Sequence, residues 1–91
     1  MKSSDYIVML KNYVRKNGEF DGAGLNVTLN KPISFKYRNV TYDILFILET
    51  DDNELCAFIQ NPKDEDDCFG ISIFQLKNNV LRKILNDLGI W

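Results

Sequence analysis

The stretch from Val40 to Thr50 constrains this chain more than any other part of it. Its even positions are Val40, Tyr42, Ile44, Phe46 and Leu48, and its odd positions are Thr41, Asp43, Leu45, Ile47 and Glu49. A strand wetted on one side alternates apolar with polar residues. Here the run Ile44-Leu45-Phe46-Ile47-Leu48 is apolar on both sides. The next predicted strand repeats the pattern, with Cys56 and Phe58 on one side and Leu55 and Ile59 on the other. The middle of the sheet therefore needs cover on both faces.

The neighbouring segments define the rest of the sheet. Leu25, Val27 and Leu29 alternate with Asn26, Thr28 and Asn30, and predict a half-buried strand. Asn30-Lys31-Pro32 reads as a turn. Ile33, Phe35 and Tyr37 then alternate with Ser34, Lys36 and Arg38 in a second strand. Arg38-Asn39 is a tight turn, since Asn tolerates positive φ. Val40–Thr50 is the third strand, Asp51–Glu54 a hairpin loop, Leu55–Gln60 the fourth strand, Asn61–Asp67 a second, acidic loop, and Phe69–Phe74 the fifth strand. Phe20, in the loop that precedes the first strand, is expected to anchor that loop to the core.

Helical stripes bracket these strands. Tyr6, Ile7, Leu10, Tyr13 and Val14 share one face of a helix over residues 5–16, which Asn17-Gly18 ends. Leu76, Val80, Leu81, Ile84, Leu85 and Leu88 make a second stripe, closed by Gly89, with Ile90-Trp91 free to fold back onto the core. The expected class is α+β: an antiparallel meander of about five strands flanked by an N-terminal and a C-terminal helix, in the order α-β-β-β-β-β-α. Its 91 residues suit a single domain spanning residues 1–91. Two short helices cover one face of such a sheet and leave the other to be accounted for.

Composition mainly excludes. There is no histidine, so the commonest general base and the commonest metal ligand are missing. The glycine-rich phosphate loops and the nucleophile elbow are absent; Gly22-Ala23-Gly24 lacks the downstream glycine and precedes a strand. The expectation is a non-enzymatic protein with no cofactor. Cys56 and Cys68 are too few and too far apart for a zinc site and read as free core-type thiols. No apolar run reaches membrane-spanning length, and Asp5 and Lys11 break any export-type stretch, so the expected location is the cytoplasm. Ten asparagines, and eight lysines against three arginines, fit a bacterial or phage coding sequence.

The net charge of −2 is unevenly spread. Residues 1–40 carry seven Lys/Arg and three Asp/Glu, whereas residues 41–76 carry one Lys and nine Asp/Glu. Asp64, Glu65, Asp66 and Asp67 lack the glycine and glutamate spacing of a calcium loop, and Asp51, Asp52 and Glu54 fit it less well, so no metal is expected. Both groups read as an acidic surface. Lys31, Lys36 and Arg38 form a basic surface on the polar side of the second strand, but Phe35 and Tyr37 point the other way, which disfavours nucleic acid.

The leading expectation is a protein-interaction module that binds stoichiometrically through Leu45, Ile47, Cys56 and Phe58. Its partner is itself, as a homodimer, or a foreign protein, as an adaptor or inhibitor of phage or mobile-element origin. Two alternatives accompany it. One is an acidic mimic of nucleic acid that occupies a basic protein. The other is a nucleic-acid-binding regulator that uses the basic strand face.

Overall fold

Two amphipathic helices and one continuous antiparallel meander make up the computed structural model, which describes residues 2–22 and 24–91. Helix α1 is Ser3–Asn17, and the strands are β1 Glu19–Phe20, β2 Leu25–Tyr37, β3 Val40–Glu49, β4 Leu55–Asn61 and β5 Asp64–Ser72. A 3₁₀ turn, Ile73–Gln75, leads to helix α2, Asn78–Asp87. The sheet order is β1-β2-β3-β4-β5 with every pair antiparallel. This is the α+β arrangement that the periodicities predict.

Local chemistry sets the element ends. The backbone N–H of Lys2 donates to Asp5 Oδ2 (3.0 Å) at the start of α1, where a carboxylate also suits the helix dipole. The N–H of Gly18 donates to the Val14 carbonyl (2.7 Å) at its end. Arg38 and Asn39 have φ of 52° and 66°, the left-handed pair of a two-residue hairpin whose twist matches its strands. Gly24 has φ +147°, and any side chain there would overlap the Glu49 carbonyl oxygen.

Both helices lie on one face of the sheet. Tyr6, Ile7, Leu10 and Val14 of α1 and Val80, Leu81, Ile84 and Leu85 of α2 are buried against Val27, Ile44, Ile47, Ala57, Ile59 and Ile71. The Ser3 hydroxyl donates to Asn78 Oδ1 and ties the helices together. Ile90 folds back onto the core, and the Trp91 ring meets Tyr6 edge-on at 5.5 Å. No helix among the described residues is long and apolar enough to cross a membrane.

The expected turn at Asn30-Lys31-Pro32 is instead a bulge inside one long strand. Thr28 pairs with Phe46 and Ile33 with Ile44, so Leu29–Pro32 stand opposite Leu45 alone. On its other side Ile44 pairs with Ile59 and Phe46 with Phe58, so Leu45 is unpaired there as well. Both ladders break at one level, and the sheet curls. Proline is tolerated because this part of β2 is a sheet edge, where no ladder bond is lost. The N–H groups freed by the bulge are taken up by α2: Asn30 and Lys31 donate to the two carboxylate oxygens of Asp87 at 2.7 and 3.0 Å, and Asn30 Nδ2 donates to the Asp87 carbonyl at 2.7 Å.

Three smaller expectations also change. Phe20 is not a core anchor; it is 71% exposed in β1. The second acidic loop shrinks to a tight turn because β5 begins at Asp64. The fifth strand stops at Ser72, whose hydroxyl accepts the N–H of Phe74 and opens the 3₁₀ turn.

Candidate interaction surface

The bulge at Leu45 decides which residues face outwards. Before it, Tyr42 and Ile44 point to the helices; after it, Ile47 and Glu49 do. Leu45 and Phe46 are the two consecutive residues that avoid the core. The expected binding set is therefore split. Cys56 and Phe58 lie on the outer face, and Leu45 is half-buried outside the core cluster. Ile47 is a correction: at 0% exposure it is sealed beneath the helices and offers nothing to a partner. Strict alternation along β3 put it beside Leu45, and the inserted residue reversed its side.

Two further residues belong to the surface, Phe46 and Leu48. The rungs read Thr28, Phe46, Phe58, Gly70 and Asn26, Leu48, Cys56, Ser72 across β2 to β5. The Phe46 and Phe58 rings stack at 4.8 Å with planes 6° apart. Leu45, Phe46, Leu48, Cys56 and Phe58 are each half-buried by their sheet neighbours, and among the described residues no helix packs over them. Gly70 sits at the end of the phenylalanine rung with nothing within 4 Å of where its Cβ would be. The presence of an apolar middle on both faces was legible in the sequence; its membership depended on the bulge.

The cysteines on this face are free. Cys56 pairs with Ser72 and Cys68 with Gln60, so they stand four residues apart along adjacent strands. That separation of roughly 13 Å exceeds the reach of a disulfide. Burial, and then the nearby Glu54 charge, raise the Cys56 thiol above its ordinary pKa.

The acidic residues do not form one surface. Asp51, Asp52 and Glu54 lie in the β3–β4 connection, and Asp64, Glu65, Asp66 and Asp67 start β5. Strand β4 runs between the two groups, about 20 Å of extended chain. Asp67 Oδ2 accepts the Tyr42 hydroxyl (2.9 Å) and Asn61 Nδ2 (3.3 Å). That hydrogen bond, then burial, then the Asp67 charge raise the Tyr42 hydroxyl above its usual pKa. No group of three or more metal-ligating side chains comes together among the described residues. The basic residues also diverge. Lys31 is held through its backbone by Asp87, the Arg38 guanidinium stacks 5.2 Å over the Tyr37 ring, and Lys36 lies at the β2 edge that borders α2.

Glu49 and Arg15 are a pair that sequence reading missed. Glu49 is the one buried charged residue among those described, at 5% exposure. Arg15 Nε donates to Oε1 and Oε2 (3.2 and 3.1 Å), and its Nη2 donates to Oε2 (3.0 Å). The hydrogen bond and the charge of Glu49 raise the Arg15 guanidinium further above its ordinary value. The one available signal was an acid continuing the odd parity of Ile47, without any hint of its partner 34 residues away.

Comparisons with protein-family models, curated proteins and solved structures find no match to this chain.

Proposed function

We propose that this protein acts without catalysis, as a binding module that pairs with a second copy of itself through the outer face of its sheet. The observation that carries the reading is the stacked Phe46–Phe58 rung and its Leu45, Leu48 and Cys56 neighbours, left uncovered at the centre of that face. Antiparallel sheets ordinarily turn polar residues to water on the side without helices.

Three features favour a copy of the chain as the occupant. The two central rungs hold no charged residue, so the strip complements another like itself. The molecule is 33 × 32 × 23 Å, with the short dimension matching one helix layer on one sheet layer. Its broad outline, on the order of 1,000 Å², is large enough for the roughly 800 Å² per partner of a standard interface. Gly70 weakens β5 with no crowding in its own chain to require it, and leaves a notch beside Phe58 that a facing ring can enter. Two sheets stacked in this way lie about 10 Å apart.

Sedimentation equilibrium over a wide concentration range tests the reading. The expected result is a monomer of 10.6 kDa passing to twice that mass. Phe58→Lys removes the association, and Gly70→Val weakens it while leaving the monomer folded or firmer, because β-branched residues suit strands. A chain that stays monomeric at millimolar concentration, or a Gly70→Val variant that associates as strongly as the parent, overturns it.

A further inference from the structure

Strand β1 pairs only with Leu25 and Asn26, so the later part of β2 has a free edge, and this edge borders the N-terminal half of α2. A groove of about 270 Å³ runs between them, and its lining includes Lys36, Lys77 and Lys83. Ser34, Gln75 and Asn79 add polar groups, and Phe35 and Val80 add apolar wall. Among the described residues the one ion pair is Arg15–Glu49, on another part of the molecule, so no carboxylate contact neutralises any of the three ammonium groups. Two acids lie near the groove and keep their charge: Asp43 accepts the Ser34 hydroxyl at 2.7 Å, and Asp87, at the far end of α2, accepts from the backbone of Asn30 and Lys31.

We infer that the groove framed by Lys36, Lys77 and Lys83 binds a phosphate-type oxyanion, either inorganic phosphate or the phosphate of an organic monoester. The three lysines bring positive charge to the border of one small concavity, and an ammonium group without a carboxylate partner can donate to a phosphate oxygen. Such bonds to a charged acceptor are stronger than those between neutral groups. The volume admits a phosphate with a small organic group, and Phe35 and Val80 offer that group an apolar wall. The groove lies at the β2 edge, off the central rungs of the proposed pairing surface.

Amide NMR titration of the full chain tests it, with inorganic phosphate and a nucleoside 5′-monophosphate as separate probes and sodium chloride at matched ionic strength as the control. The expected result is a saturable shift at Lys36 and Lys77–Val80 with both phosphate probes. Tighter binding of the nucleotide identifies an organic monoester as the natural source; equal binding identifies free phosphate. Lys77→Ala and Lys83→Ala each weaken binding by about tenfold, whereas Lys63→Ala, on the remote β4–β5 turn, leaves it unchanged. Shifts that chloride reproduces, or that Lys63→Ala weakens equally, overturn the proposal, as does the absence of any saturable shift.

Discussion

Arg15 is half exposed, yet it is what allows Glu49 to be withdrawn from water. A buried carboxylate without a partner is costly, so the two substitutions are unequal. Arg15→Met strands the Glu49 charge and is expected to lower the unfolding free energy, read as a lower urea midpoint. The double variant Arg15→Met/Glu49→Met recovers most of that loss. Tyr42 carries a pH prediction. Its raised pKa means that the folded chain keeps the hydroxyl proton more tightly than the unfolded chain does. The contribution is therefore complete below the unfolded value of about 10 and is lost as pH rises through the higher folded one. Thermal melts between neutral and strongly alkaline pH are expected to fall more steeply for the parent than for Tyr42→Phe. At this scale the sequence was least informative. Arg15, Glu49, Tyr42 and Asp67 are all plain to see in it, but only folding brings each pair together.

At the scale of elements the periodicities were strong guides. Both helices and the cores of β3 and β4 are where their apolar spacing places them, because one buried stripe fixes each. The failures share a physical cause, which is contact between segments distant in sequence. Pro32 reads locally as a chain reversal, yet β2 continues through it because Asp87, more than 50 residues on, satisfies the N–H groups of Asn30 and Lys31. One unpaired residue, Leu45, then reverses the side of Ile47 and brings Phe46 outwards. Removing the carboxylate is the direct test. Asp87→Ala is expected to cost about 1–2 kcal/mol in urea denaturation with an unchanged slope. Amide exchange at Asn30 and Lys31 is expected to accelerate ahead of that in β3. Exchange that stays uniform across the sheet would show that the bulge holds itself.

For the whole molecule, the architecture is two layers with a third side left bare at its centre. The two-sided apolar pattern of β3 and β4 announced that arrangement, and the helices account for one side of it. The proposed pairing makes a four-layer stack, helix, sheet, sheet, helix, from identical halves. Its mass is expected to level off at two chains in the sedimentation experiment, with no larger species at higher concentration.

That ceiling follows from the margins of the sheet. On β2 the kinked stretch ending in Pro32 is deprived of donors and clasped by α2, and on β5 the opening residues Asp64, Glu65 and Asp66 are all acidic. These two stretches are poor templates on which to lay down a neighbour's backbone flush, which disfavours sideways growth from them. A contact through the broad side is consumed by the first copy that takes it, and assembly is finite by construction.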